Sequence, residues 1–240
     1  MGRARSHEGL LQIAIDGPVA AGKGTVARIL AERLGWLYVD TGAMYRAAAL
    51  LAKRAGVSFD DAKAIAGLVD RSHFEMRNPT DNERDGRLTT LVVDGEDVSW
   101  NIRTEEISRG ASMVAAHLEV RRALVEKQQK IATFHNVVME GRDITFRVLP
   151  KAQFKIFLTA SEEERAKRRY HQLIERGVEA DYETVLDDLR ARDRRDSERG
   201  TDPLHIVEDA WVFDTTGMKI TEVVERILDK VRPIVSGREV

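Results

Sequence analysis

Gly17-Pro18-Val19-Ala20-Ala21-Gly22-Lys23-Gly24-Thr25 is the segment whose residue types and spacing specify a chemistry most directly. Backbone N–H groups of such a glycine-rich loop converge on phosphate oxygens, and a helix opening behind it adds positive potential at the same point. Lys23 is placed to reach the outer phosphates of a nucleotide, and a nearby hydroxyl such as Thr25 can serve Mg²⁺. In the usual pattern a Ser or Thr follows the lysine directly; here Gly24 intervenes. The plain alternative is a strand-to-helix turn with an incidental lysine. The order apolar run, loop, helical pattern argues against it. The loop accounts for a phosphorylated nucleotide but not for what receives a phosphoryl group.

Three further groups could build that second site. Asp40-Thr41-Gly42 follows an apolar run, with Arg46 on the helix behind it. Ligands of open parallel sheets bind beyond the carboxyl ends of strands, so Thr41 and Arg46 are expected at a crevice, Arg46 forking onto a phosphate. A helix cap with a surface arginine is the alternative. Glu140-Gly141-Arg142-Asp143 ends another apolar run. Glu140 suits the hydration shell of Mg²⁺, Arg142 a transferring phosphoryl group, and Asp143 the amino group of a base; a polar turn with a local ion pair competes. Arg192, Arg195, Asp196 and Arg199 recur at i, i+3, i+4 and i+7, one helical face. Arginines so placed repel unless an anion lies between them, although Asp193, Asp196 and Glu198 could make this an ordinary solvated face. Arg165, Lys167, Arg168 and Arg169 add a basic cluster on the preceding helix, and the two helices together suggest a mobile polar lid.

The elements that must position these residues alternate. Apolar runs at Leu11–Ile15, Trp36–Val39, Asn136–Met139, Phe154–Thr159 and Ala210–Phe213 predict five strands buried on both faces of a parallel sheet. Helical patterns lie between them. One carries Val26, Ile29, Leu30 and Leu34 and is closed by Gly35; another spans Ala43 to Ala55 and is closed by Gly56. A long helical stretch opens near Thr104. Ser161 and Glu164 open a further helix in a capping-box pattern, ended by Gly177, and Asp181 caps the next. The alternation implies a right-handed, doubly wound α/β fold. From 72 to 102 the rhythm breaks: Thr89–Val93 and Glu96–Trp100 around Asp94-Gly95 predict a hairpin, with His73–Arg77 as a third strand. Core packing is expected for Trp36, Trp100 and Trp211.

Composition removes several alternatives. With no cysteine, disulfides, thiolate metal sites and cysteine nucleophiles are excluded. The 38 basic and 40 acidic residues nearly cancel, which argues against a broad nucleic-acid or membrane-surface binder. The six histidines are scattered and form neither a metal motif nor a triad. No apolar run approaches the roughly 20 residues of a membrane span, and residues 1–9 lack the apolar stretch of a signal peptide. The expectation is a soluble cytoplasmic protein with a flexible tail at 1–9.

Taken in order, these segments resemble the bacterial cytidylate (CMP) kinase family over nearly the whole chain. The Gly-Lys-Gly-Thr form of the loop is shared by nucleoside monophosphate kinases generally. More specific are Asp40-Thr41-Gly42-Ala43-Met44-Tyr45-Arg46, Asp94-Gly95-Glu96-Asp97-Val98, Ile102-Arg103-Thr104-Glu105-Glu106, Gly141-Arg142-Asp143 and Arg192-Asp193-Arg194-Arg195-Asp196. The resemblance implies a P-loop kinase core over 10–71 and 103–240 with a five-stranded parallel sheet. It also implies a small β-rich monophosphate-binding insertion at 72–102 and a helical lid within about 161–200. It implies phosphoryl transfer from Mg·ATP to CMP or dCMP, with ATP and Mg²⁺ as cofactors. A monomer is expected.

The resemblance also assigns roles. The loop residues Gly17, Pro18, Val19, Ala20, Ala21, Gly22, Lys23, Gly24 and Thr25 hold ATP. Lys23, Arg142, Arg192 and Arg199 act on the transferring group. Thr41, Arg46, Arg142 and Arg199 contact the acceptor's phosphate or ribose side, and Arg192 and Asp196 its sugar and phosphate. Ser112, Arg121 and Asp143 read cytosine. Thr25 and Glu140 are the candidates for Mg²⁺, through water. Uracil would leave Asp143 unpaired, at a cost of about 1–3 kcal/mol, or roughly 5–150-fold. The chain departs from the family at Ile144-Thr145-Phe146, where an aliphatic residue and Gly-Thr are common, and at Arg147, where the family is apolar. That change is expected to reshape the backbone or narrow the pocket. A kinase of the same fold with another acceptor, or a nucleotide-dependent RNA-binding module without transfer, is the competing reading.

Overall fold

The central strands form where β-branched and other apolar residues run continuously. The structure, a computed structural model, describes residues 9–83, 85–175 and 177–236. Its elements are β1 (Gln12–Asp16), α1 (Lys23–Leu34), β2 (Leu37–Asp40), α2 (Thr41–Arg54), α3 (Ala62–Arg71), β3 (Phe74–Arg77), β4 (Thr90–Val93) and β5 (Glu96–Asp97). They continue with α4 (Glu105–Val114), α5 (Leu118–Ala132), β6 (Val137–Glu140), β7 (Phe154–Thr159), α6 (Glu162–Glu175), α7 (Tyr182–Glu198), β8 (Trp211–Asp214) and α8 (Ile220–Ser236). The tail expected at 1–9 lies, apart from Gly9, outside the described residues.

A five-stranded parallel sheet has the order β2-β6-β1-β7-β8. In β1 and β7 Ile13 faces Phe154 and Asp16 faces Phe157; in β7 and β8 Ile156 faces Trp211. All five predicted strands are present. Four of them end one residue later than their apolar runs, each on a carboxylate: Asp16, Asp40, Glu140 and Asp214. The backbone ladder continues one step past the hydrophobic signal, so an acidic side chain is fixed at a strand's carboxyl end.

The helices follow their caps. Asp40 accepts from Ala43 N–H at 2.9 Å, which starts α2 at Thr41 rather than at Ala43. Gly35 and Gly56 take φ of +67° and +66° and end α1 and α2. Ser161 Oγ accepts from Glu164 N–H, and Asp181 caps α7 through Thr184 N–H. The stretch opening at Thr104 is two helices, not one, because the chain turns at 115–117. Gly110 of α4 meets the Phe59 ring so closely that a Cβ would lie 2.6 Å from it. The short helix α3, capped by Asp61, lies where the sequence reading placed nothing.

The antiparallel sheet β3-β4-β5 matches the predicted insertion strands. Asp94 and Gly95 both have positive φ, +52° and +85°, as a tight mirror-type hairpin turn requires. The third strand stops at Asp97 instead of Trp100. Ser99 Oγ accepts from Leu91 N–H at 2.9 Å and so replaces the next ladder bond. Trp100 is not a core residue: it is 48% exposed and donates from Nε1 to Asp85 at 2.9 Å.

Contacts group the chain into two compact units. One comprises Ala31–Met139 with the chain up to Gln12, the other Ile13–Leu30 with Glu140–Val240. The first is filled by Met44, Ile65, Leu91, Ile102, Ile107 and Leu124, and the second by Ile13, Ile15, Leu30, Ile156, Leu158 and Ile227. Among the described residues no helix is long and apolar enough to cross a membrane.

Candidate active site

The phosphate loop leaves β1 at Asp16 and bends at once. Gly17 has φ of +151°, and a Cβ there would lie 2.0 Å from the carbonyl oxygen of Leu158 in β7. Glycine is therefore required by both conformation and space. Gly22 has φ of +87°, and a Cβ there would meet nothing within 4 Å. Gly22 O accepts from Val26 N–H at 3.0 Å as α1 begins. The first turn of α1 has no acidic residue to cancel its dipole, and Thr25 is exposed there.

Lys23 is buried. Its Nζ donates to Pro18 O at 2.7 Å, bracing the loop across its own arch. Burial lowers its pKa to about 7; the Arg142 charge acts in the same direction, and Glu140, Asp16 and Asp196 oppose it. The ammonium thus feels Glu140 and Arg142 at the end of β6, Asp196 on α7, and Asp16 at the end of β1.

Asp16 has a structural duty. Its carboxylate is fully buried and accepts from Ile144 N–H at 2.9 Å, Thr145 N–H at 2.8 Å and Thr145 Oγ1–H at 2.6 Å. Burial raises its pKa, and the three hydrogen bonds and Lys23 oppose the rise. With both oxygens engaged, Asp16 anchors a π-helical turn at Ile144–Val148. At the departure at 144–146 Thr145 supplies two of the three donors to Asp16. Replacing Thr145 by Val should cost about 1–3 kcal/mol, because a buried acceptor loses its hydroxyl. Urea unfolding measures this, and an unchanged midpoint would show that the Thr145 hydroxyl contributes nothing.

Arg142 Nε donates to Asp196 Oδ2 at 2.9 Å, and both side chains are about one-fifth exposed. Burial raises the pKa of Asp196, but the charge and hydrogen bond of Arg142, then Arg192 and Arg199, outweigh it and hold the carboxylate below its ordinary range. Glu140 is half-buried, and Asp143 is buried beside Arg142 in the chain. Arg192 lies exposed on α7. The expected arginine face is broken at its end, a correction: α7 stops at Glu198, and Arg199, with ψ of 140°, leaves the helical register. Its Nε and NH2 donate to Asp202 O at 2.8 and 2.5 Å. The basic cluster of α6 also disperses. Arg168 donates to Glu164 and to Thr215, Arg169 to Gln172, and Arg165 is buried.

Arg165 and Asp193, read from the sequence as part of a basic cluster and as a local charge partner, together hold the phosphate loop. Arg165 pairs with Asp193 and donates to Val19 O at 3.1 Å, while Asp193 accepts from Val19 N–H at 3.2 Å. Both backbone polar groups of Val19 are thus held by α6 and α7, and Val19 and Ala20 pack on Ala166, Leu186 and Leu189. The signal was present: Asp193 continues the stripe of Val185, Leu186 and Leu189 by one further turn.

In the other unit Thr41 is buried as the first residue of α2. Arg46 NH2 donates to Asp40 Oδ2 at 2.8 Å, and the buried Nε of Arg46 has no hydrogen-bond partner among the described residues. Arg121 is buried, donates to Ala115 O at 3.3 Å and stands 5.8 Å from the Tyr45 ring centroid. Ser112 is half-buried on α4 and donates to Ser108 O.

A buried lysine under a glycine arch, with a guanidinium–carboxylate pair beside it, needs no nucleophile of its own. Moving a phosphoryl group between two anions asks for position and countercharge rather than covalent chemistry. This defines the class as a P-loop, nucleotide-dependent phosphotransferase. Residues 13–233 match the family model for cytidylate kinase. The chain is 46% identical to the cytidylate kinase of Bacillus subtilis (strain 168) over 92% of its own length and 96% of that protein. It is 49% identical to the cytidylate kinase of Caldanaerobacter subterraneus subsp. tengcongensis over 95% of its length and 97% of that protein. A crystal structure of an uncharacterized protein from Eubacterium ventriosum ATCC 27560 superposes with a TM-score of 0.53 at 13% identity, covering 94% of this chain and 99% of that one; it speaks to fold alone. The chain belongs to the cytidylate kinase family.

Proposed function

We infer that the chain transfers the γ-phosphoryl group of Mg·ATP to CMP or dCMP, giving ADP and CDP or dCDP. The observation that carries the chemistry is buried Lys23 of the phosphate loop, with the charges of half-buried Glu140, Arg142 and Asp196 acting on it. An acceptor phosphate oxygen attacks the γ-phosphorus, and the bond to the bridging oxygen breaks in line. Lys23 holds the charge that grows on the donor side, and Arg142 neutralises the transferring oxygens. Arg192 and Arg199 are assigned to the same charge, and Asp196 to the sugar hydroxyls while it fixes Arg142.

Mg²⁺ supplies further countercharge to the nucleotide oxygens when bound. The donor set fits an ion brought by the nucleotide: among the described residues no carboxylate or histidine cluster could cage a metal. Thr25, exposed on the first turn of α1, and half-buried Glu140 are the groups that suit it, directly or through water. Asp16 is committed to Ile144 and Thr145.

On motif position we assign Thr41 and Arg46 to the acceptor phosphate, and the orphaned Nε of Arg46 is a donor suited to an anion. Asp143 takes the cytosine amino group; Ser112 and Arg121 carry a base-reading role on the same motif grounds. We assign residues 72–102 to monophosphate binding and 161–200 to a lid, and place the protein in the cytoplasm as a monomer. The test is ADP release with CMP, dCMP, UMP, AMP and dTMP supplied one at a time. Only CMP and dCMP should respond strongly; a stronger response to another acceptor overturns the cytosine assignment. Arg199→Ala should lower kcat/KM for CMP about tenfold, one charge-assisted hydrogen bond's worth. An unchanged value would remove Arg199 from the site.

A further inference from the structure

The segment that follows Arg199 is tied back onto the π-helical turn that follows Asp143. The Phe146 and His205 rings lie 4.0 Å apart between centroids at 37°. Arg147 Nε stands 3.6 Å from Asp202 Oδ2. The backbone closes the same connection, because Leu204 N–H donates to Asp196 O at 2.8 Å. His205 is braced on its other side by its Nδ1, 2.9 Å from Pro203 O.

The Arg199 guanidinium is held by the carbonyl of Asp202, a member of this same segment. Asp202 has φ of +45°, a left-handed conformation that aspartate adopts more readily than most residues but at some cost. That conformation aims its carbonyl at Arg199 while its side chain faces Arg147. The position of the Arg199 head group therefore follows the position of residues 202–205. Those residues are fixed where they meet the turn at 144–148, which Asp16 anchors from the buried end of β1.

We propose that Phe146, Arg147, Asp202 and His205 form a strap that positions Arg199 for the acceptor nucleotide. They act through Arg199 and touch no substrate themselves, so they are positioning residues; the proposal rests on the acceptor-side reading of Arg199. The ring contact carries most of the effect. Arg147 is 43% exposed and its ion pair with Asp202 is long, so solvent screens it.

The measurement is steady-state kinetics with CMP and ATP varied separately, for Phe146→Ala and His205→Ala, each alone and combined with Arg199→Ala. His205 is exposed and Phe146 half-buried, so both variants should fold, and thermal melting checks this. Each single variant should raise KM for CMP about threefold to tenfold, the range for an aromatic pair, with KM for ATP unchanged. In the Arg199→Ala background the same substitutions should change KM for CMP less than about twofold, because the group they position is gone. Arg147→Lys should stay within about twofold of wild type. Equal penalties in both backgrounds, parallel rises for CMP and ATP, or no effect of Phe146→Ala beside a costly Arg199→Ala would each overturn the strap. A silent Arg199→Ala beside a costly Phe146→Ala would overturn the reading of Arg199 and, with it, a strap that works through it.

Discussion

Replacing Lys23 by Met should lower kcat by about 10²–10³-fold, the cost of removing one preorganised charge donor from a transition state, without lowering the melting temperature. The two halves of this result have different origins. Activity needs the ammonium where donor charge grows. Folding does not, because the charged form is held in a buried site where desolvation and Arg142 act against it. Methionine keeps the length and apolar stem and removes the desolvation cost, at the loss of the 2.7 Å bond to Pro18 O. A fall in melting temperature of more than about 5 °C, roughly 1.3–2.5 kcal/mol for a chain of this size, would make Lys23 a structural residue first. The lowered pKa adds a pH signature. A base with pKa near 7 carries its proton below that pH and loses it above, and the protonated form holds phosphate. ATP affinity should therefore be full below pH 7 and weaken as pH rises through it, with proton uptake on binding near pH 8. Titration calorimetry in buffers of different ionisation enthalpy reads that proton, and the difference from Lys23→Met isolates the lysine from the nucleotide's own titration. No difference between the two proteins at pH 8 would contradict the lowered pKa.

The strand-loop-helix order and the insertion hairpin were legible because each rests on a local rule: continuous apolar runs, a glycine arch, Asp94-Gly95 between alternating residues. The errors mark where a local rule hands over to a tertiary one. Strand ends were read one residue short because Asp16, Asp40, Glu140 and Asp214 break the apolar run but not the backbone ladder. Helix α3 carries an Asp61 cap and the spacing Ile65, Leu68, Val69, yet ten residues that include Gly67 make a weak pattern. The i, i+3, i+4, i+7 spacing on α7 held for Arg192 to Asp196 and failed at Arg199, because Arg199 caps the helix and turns to Asp202. Thr145 stood out as a departure, but only coordinates show its hydroxyl on a buried carboxylate 129 positions away in sequence. Pairings of that separation leave no periodic trace in a single chain. Asp193 lies between these cases: its place on the apolar stripe was readable, and its partner, the Val19 peptide, was not.

The glycines of the phosphate loop separate fold from function most sharply. Gly17→Ala should destabilise the protein by about 3 kcal/mol or more, at the upper end for overpacking, and abolish ATP binding. The added Cβ meets the carbonyl oxygen of Leu158 at 2.0 Å, and that oxygen belongs to the backbone of a central strand. No rotamer relieves the contact; either the end of β1 moves away from β7 or the loop refolds. Gly22→Ala meets nothing within 4 Å and is opposed only by its φ of +87°, a strain of about 1–2 kcal/mol. The cheapest relief is a change of φ, which turns the neighbouring N–H groups out of the phosphate cradle. Gly22→Ala should therefore keep a melting temperature within a few degrees of wild type, by the same scale of strain, and raise KM for ATP roughly tenfold or more, since each 1.4 kcal/mol is tenfold. Thermal melts beside KM for ATP test both. Equal melting losses in the two variants would show that φ alone decides both positions and that the close approach of Gly17 to Leu158 carries no weight. A Gly22→Ala enzyme with unchanged KM for ATP would show that the cradle does not depend on the conformation of that peptide.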